Sequence, residues 1–375
     1  MSDEELKPNS TDSFVKVCQK LDELRFMDTI SWGILGKNIF SNPRLKASTR
    51  LFLFWLCSIV DQFYGYVTVW TKGENAMLKL IEDCPQSFAK VDEKIKNLRK
   101  DNKGNMIGDI FFNGTKFTLV RDDYSRIRNT FDFLAQYDKP ETSLDEKFVR
   151  VLGELIAGNQ GESGILKTAY FLDGWIFSNT RISSDPILNE LQGFREKPRK
   201  RLWMFIMFLK RDPCVQNLFR EALFEVYGNE SGKALFSMWN DDSKFNPKEI
   251  ELPGDMWNQR LFKALLSELP TFLKQQPKRT ARELALRFNL SPSVFDVTFE
   301  FGANKCKSMD CSPCPFGDNE LCHQGKEKLC SISKWLFPFY EKKADGIVCQ
   351  PDNCPITKDY GKNLCTREID PEIVH

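Results

Sequence analysis

Residues 195–213, "REKPRKRLWMFIMFLKRDP", run from a basic turn into eight consecutive apolar residues, Leu202 to Leu209, and end at Asp212-Pro213. Upstream, "DPILNELQ" reads as a helix, and Gly193 and Pro198 mark a short turn before the next one. A helix carrying "LWMFIMFL" is apolar on every side. It has no face to offer to water and must lie at the centre of the fold.

Helical spacing continues in both directions. Apolar residues recur at helical intervals from a cap at Thr11 or Ser13 through "FVKVCQKLDELRFM", along a buried helix from about Ser48, and through "ENAMLKLIED". "GDIFFNGTKFTLVRDD" breaks the pattern. Two short β-rich runs flank Asn113-Gly114, a strong hairpin signal, and make the one expected β element, near 109–121. Further helices are expected over 124–136, 144–157 and 164–178, then in "CVQNLFREALFEVYG", in "LPGDMWNQRLFKALLSEL" and over 280–288. The polar stretch 229–251 reads as a surface insertion, and "SPSVFDVTFEFG" opens a last helix with Ser291 as cap and Pro292 first.

Composition sets the limits. The chain has 375 residues with 53 basic against 52 acidic side chains, so any affinity for nucleic acid or membrane must come from local patches. With 31 Phe, 8 Trp and little strand-type alternation, it reads as a soluble, mainly helical protein. The segment Leu51 to Trp70 is as long as a membrane span, but Asp61 and Gln62 in its middle suit a buried helix better than a bilayer. "MSDEELKPNSTDS" is acidic and polar, without the apolar run of a secretory signal, and the expected location is cytoplasmic, at the nucleoid in a prokaryote.

The twelve cysteines are unevenly spread. Cys18, Cys57, Cys84 and Cys214 sit in apolar surroundings and read as small buried hydrophobes. The other eight lie between Cys306 and Cys365, where a reducing compartment makes clustered thiols metal ligands first. In "CKSMDCSPCPFGDNELC", Cys306, Cys311, Cys314 and Cys322 are separated by four, two and seven residues. Sulfur-only ligation suits zinc or an iron–sulfur cluster, and spacing does not separate them; Pro315 after Cys314 is a weak pointer to iron. Cys330, Cys349, Cys354 and Cys365 would furnish a second metal site or pack against "WLFPFY", and His323 is a substitute ligand or a surface residue.

Two more features carry chemistry. Between Arg195 and Arg211 there are seven basic residues and one acid, Glu196. Free amides at a helix start surrounded by Lys and Arg make a phosphate site, and a solvated surface turn is the plain alternative. In "ELPGDMW", a Pro-Gly turn delivers Asp255 to the first turn of an amphipathic helix, where taken alone it is a capping residue worth about 1 kcal/mol.

In this order, "LQGFREKPRKRLWMF", "LPGDMWNQRLF" and "FDVTFEFGANKCKSMDCSPCPFGDNELC" together resemble the helix-hairpin-helix DNA glycosylases, the endonuclease III-like superfamily, over residues 187–322. The family's cysteine gaps are six, two and five, the same total span. Lys200 and Asp255 lie further apart than the family's lysine and aspartate, a difference that the 229–251 insertion absorbs.

The resemblance implies a mainly α fold of two helical lobes with the small β-hairpin and a C-terminal cysteine-rich cluster loop. Residues 1–48 would be an N-terminal tail and helix packing on the cluster lobe, 49–250 the lobe with the hairpin, and 251–375 the lobe with the aspartate helix and cluster. The expected cofactor is a [4Fe–4S] cluster on Cys306, Cys311, Cys314 and Cys322, with zinc as the alternative. The expected partner of a monomer is double-stranded DNA with a modified or mispaired base, flipped into a pocket. Asp255 would stabilise the developing sugar cation, and Lys200, or in its place Lys197, would attack the sugar. Gly193, Arg195, Lys197, Arg199, Arg201 and Arg260 would hold the DNA backbone. The competing classes are a non-catalytic nucleic-acid-binding protein on the same scaffold and a zinc-stabilised helical interaction protein.

Overall fold

The computed structural model of the chain describes seven positions within 11–22, then residues 42, 44–60, 74–83, 89–137 except 103, 113 and 114, 142–177 except 162, 196–254, 258, 259, 262, 266, 269–296, 340–343 and 346–349. The chain divides into two compact units. One comprises Met1–Arg25, Gly254–Phe288 and Val294–His375; the other comprises Phe26–Pro253 and Asn289–Ser293. The described residues are mainly helical, and no helix among them is long and apolar enough to cross a membrane.

The unit built on 26–253 contains α1 (Ala47–Ile59), α2 (Glu74–Asp83), α3 (Ala89–Lys96), a small sheet of β1 (Arg99–Lys100), β2 (Met106–Phe112) and β3 (Thr115–Val120), then α4 (Arg121–Gln136), α5 (Leu144–Gly158), α6 (Gly164–Phe177), α7 (Glu196–Arg211), α8 (Pro213–Tyr227) and α9 (Asn229–Asn240). Its core is α1 and α7, each of which packs with α8, while α1 also meets α5. Every residue from Leu202 to Leu209 is buried, as an all-round apolar helix requires. The ring of Trp55 meets that of Phe205 edge-on at 4.9 Å and lies 5.4 Å from Phe148 and 6.1 Å from Trp175, so one aromatic cluster joins α1, α5, α6 and α7.

Helix α1 begins after Lys46, which supplies no side-chain cap. Carboxylates from distant helices do that work: Glu225 accepts from Ala47 N at 2.8 Å and Ser48 Oγ at 2.6 Å, and Asp145 accepts from Thr49 Oγ1 at 2.5 Å. Glu249 does the same for α6, accepting from Ser163 N and Ile165 N, each at 3.0 Å.

β2 and β3 pair antiparallel from Ile107↔Val120 to Phe112↔Thr115, with Asn113 and Gly114 outside the described residues. The hairpin is not the one β element: β1 adds an edge through Arg99↔Ile107, and β4 (Tyr340–Lys343) pairs with β5 (Gly346–Cys349). A two-residue strand is too short for alternation to register, and Asp345-Gly346 was a hairpin signal passed over.

Residues 229–251 are not a surface insertion. They form α9 and a 3₁₀ turn, Pro247–Glu249, and Leu235, Trp239, Phe245 and Ile250 are buried in the core. Four apolar residues of that polar background are spent on the interior. The segment therefore belongs to the body of the unit.

In the other unit, residues 11, 12, 14, 15, 18, 19 and 22 are helical, and α10 (Thr271–Lys274) and α11 (Pro277–Phe288) follow the 254–266 segment. Phe14 stacks on Phe295 at 6.1 Å and meets Phe262 edge-on at 5.8 Å, which ties the N-terminal helical residues to both later segments. After Ser291 the described chain makes a single 3₁₀ turn, Pro292–Phe295.

Candidate functional site

Helix α7 starts at Glu196, so Lys197, Arg199, Lys200 and Arg201 lie inside its first two turns. Pro198 is tolerated there because first-turn amides have no helical acceptor to lose. Gly193 and Arg195 fall outside the described residues. At the other end of the helix Lys210 is buried and donates to Trp239 O at 2.6 Å and to Asp242 Oδ1 at 3.0 Å. Desolvation lowers its pKa despite Asp242. Lys210 is therefore buried rather than part of the expected basic turn: it ties α7 to the end of α9, and Trp239 Nε1 donates back to Leu209 O at 3.0 Å.

Asp255 and Arg260 also lie outside the described residues, but the chain on both sides of Asp255 is described. Leu252, Pro253 and Gly254 are buried, and the chain passes from one unit to the other between Pro253 and Gly254. Just upstream, Ile250 O accepts from Ser291 Oγ at 3.0 Å and from Ser293 N at 3.2 Å, and the two serine hydroxyls are 2.7 Å apart. Lys248 Nζ donates to Asn289 Oδ1 at 2.9 Å, and Asn289 takes a left-handed backbone with φ 56°. Residues 289–293 are thus strapped to the strip that leads into the "LPGD" turn. Downstream, Asn258 is buried and donates to Asp296 Oδ1 at 3.1 Å, and Gln259 Nε2 donates to Gln275 O at 2.9 Å. Ser291 Oγ also accepts from Ser293 N at 3.3 Å at the start of the 3₁₀ turn, as a cap there should; what sequence reasoning missed is that Ser291 and Ser293 also bond Ile250 O.

Cys306, Cys311, Cys314 and Cys322 lie outside the described residues, as do Cys330, Cys354, Cys365 and His323, while Cys349 ends β5. Among the described residues no cluster of His, Cys, Asp or Glu has the makings of a metal site. Four thiolates within one seventeen-residue loop remain, by the chemistry of the donor set, a fit for a soft metal or a cluster. Cys18 and Cys57 are buried, as small hydrophobes should be, and Cys84 is outside the described residues. Cys214 is exposed instead, in the first turn of α8 after Pro213, although partial burial and the neighbouring Asp212 still raise its thiol pKa.

No family model matches the chain, and neither a curated protein nor a solved structure matches it.

Proposed function

We propose that the chain is a DNA glycosylase of the helix-hairpin-helix type that excises a damaged or mispaired base, with a [4Fe–4S] cluster on Cys306, Cys311, Cys314 and Cys322. One observation carries the reading furthest. The residue before Asp255 is the point where the chain enters the unit that also holds the four-cysteine loop, and the strip delivering it is strapped by Ser291 and Ser293. A carboxylate that must face one reacting atom needs such a fixed approach.

Cleavage of the glycosidic C–N bond builds positive charge on the sugar, and the Asp255 carboxylate stabilises that charge more in the transition state than in the ground state. For the lyase branch, the neutral Lys200 amine attacks C1′ as the base leaves, and the nitrogen gives up a proton. The C1′–O4′ bond then breaks as O4′ takes up a proton, which opens the sugar ring and leaves the C1′=N Schiff base. Arg199 and Arg201, the sequence neighbours of Lys200 near the start of α7, would oppose protonation of its amine. Lys197 shares the helix start and is the rival nucleophile; Lys200 is preferred as the last lysine before the buried span begins at Leu202. When bound, the cluster orders its loop so that Lys305 and Lys307 hold phosphates.

A panel of lesion and mismatch duplexes tests this reading, with base release and borohydride trapping as readouts. Asp255→Asn should abolish base release and keep duplex binding. Lys200→Ala should abolish trapping, and trapping lost only in Lys197→Ala would move the nucleophile. No release by the wild type from any duplex in the panel, with binding intact, would leave a non-catalytic DNA-binding protein. A colourless protein without broad visible absorption would replace iron by zinc.

A further inference from the structure

The sheet formed by β1, β2 and β3 has two unlike faces. Ile110, Phe117 and Leu119 are buried on one. Gly108 lies on that side because a Cβ there would sit 2.9 Å from the Tyr124 ring of α4. By the register Arg99↔Ile107, Ile107↔Val120, Asp109↔Thr118 and Phe111↔Lys116, the opposite face carries Arg99, Asp109, Lys116 and Thr118 together with Phe111 and the buried Ile107 and Val120.

On that face one oxygen, Asp109 Oδ2, holds both Arg99 Nη2 at 2.9 Å and Lys116 Nζ at 3.1 Å, while Asp109 Oδ1 accepts from Thr118 Oγ1 at 2.7 Å. The carboxylate is largely covered, 13 % exposed, whereas Arg99 and Lys116 are 56 % and 48 % exposed. Two cations thus stand side by side over one anion in fixed positions, with most of their donors unspent. Arg99 and Lys116 against Asp109 alone leave this group with a net positive charge. Burial pushes the Asp109 carboxyl up, but the hydrogen bonds from Arg99, Thr118 and Lys116 prevail and hold it below its ordinary range, so the anchor stays charged.

We infer that this face of the β1–β2–β3 sheet is a second DNA-backbone contact, with Arg99 and Lys116, positioned by Asp109, clamping a phosphate outside the region of the hairpin and the cysteine loop. The inference rests on the reading of the chain as a DNA-binding protein. Fixing two long cationic side chains before binding removes part of the entropy that each would lose on the phosphate. Charge complementarity names the occupant: fixed, net positive, hydrogen-bonding groups suit a polyanionic backbone.

The test is the salt dependence of binding to an undamaged duplex, measured by fluorescence anisotropy on the full chain. Arg99→Gln with Lys116→Gln should lower affinity at low salt roughly tenfold and flatten the plot of log K against log salt by about 0.9, the contribution of one phosphate. Arg99→Lys with Lys116→Arg keeps both charges and should keep the slope. Circular dichroism should show the same helix content in all three proteins. An unchanged slope in the double Gln variant, with a steep slope in the wild type, overturns the clamp and leaves the glycosylase reading standing. Duplex binding that this variant weakens, in a wild type that releases no base, supports the clamp and sinks the glycosylase. Binding of the wild type to anionic vesicles, lost in the double Gln variant while the DNA slope stays put, would overturn the clamp in favour of a membrane surface.

Discussion

Asp212 sits at the joint between α7 and α8, and its carboxylate accepts from Val215 N at 2.9 Å as the N-cap of α8. Burial raises its pKa above the usual value, and the hydrogen bonds from Val215 and Cys214 offset only part of that. The sign follows from linkage. A carboxyl with a raised folded pKa binds its proton more tightly folded than unfolded, so its contribution is full below 3.8 and is lost as pH rises through the raised value. Asp212→Asn keeps the acceptor and removes the charge. Its thermal midpoint should match the wild type near pH 3.5 and exceed it at pH 7, whereas Asp212→Ala should lose about 1 kcal/mol near pH 3.5 and less at pH 7. A midpoint for Asp212→Asn below the wild type at pH 7 would mean that the charge itself, through the helix dipole, matters more than its desolvation. The Asp109 anchor has the opposite sign. Its lowered pKa gives stability that is present above about pH 4 and lost as pH falls through the folded value, so the gap between wild type and Asp109→Asn should close on acidification.

At the scale of elements, the termini of α1 and α6 depend on carboxylates far away in the chain. Glu249 receives Ser163 N, Ile165 N and Leu166 N, and α6 in turn carries Trp175 against Trp55. Glu249→Ala leaves those amides without their acceptor and should cost about 1–3 kcal/mol, seen as a lower urea midpoint with an unchanged slope. Glu249→Gln keeps one acceptor oxygen and should recover about half. None of this was legible in the sequence, because a cap supplied from eighty residues away leaves no local pattern. What was legible is what has period or turn chemistry: "ENAMLKLIED" is α2 to the residue, the Asn113-Gly114 hairpin pairs in the implied register, and "LWMFIMFL" is buried throughout. The stretch 229–251 misled because its polar composition outweighs one short apolar face, Leu235 with Trp239 at i, i+4, while Phe245 and Ile250 stand alone after it, although all four reach the core. The approach to Asp255 was half legible. "LPGD" announces a turn, but the bonds from Ser291 and Ser293 end on a backbone carbonyl forty-odd residues away, and an acceptor common to every residue carries no sequence mark.

At the scale of the molecule, the described buried residues fall into two sets. Among them, Trp55, Phe148, Phe205 and Trp239 belong to the unit built on 26–253. Phe14, Val15, Phe262, Leu266, Leu273, Leu284 and Phe295 belong to the unit that includes residues 294–375. A metal cluster supplies folding energy directly to the unit that binds it when its thiolates are not ordered in the unfolded chain. Cys314→Ser, which removes one proposed ligand, should therefore act unevenly. Hydrogen exchange should show lost protection in the segments carrying Phe14, Phe262 and Phe295, while amides of α1, α5 and α7 keep theirs, and urea unfolding should separate into two steps. Equal loss of protection in both units would show one cooperative body in which the cluster supports everything. Unchanged protection throughout would mean that Cys314 holds no structural metal, and with it would go the proposed cluster.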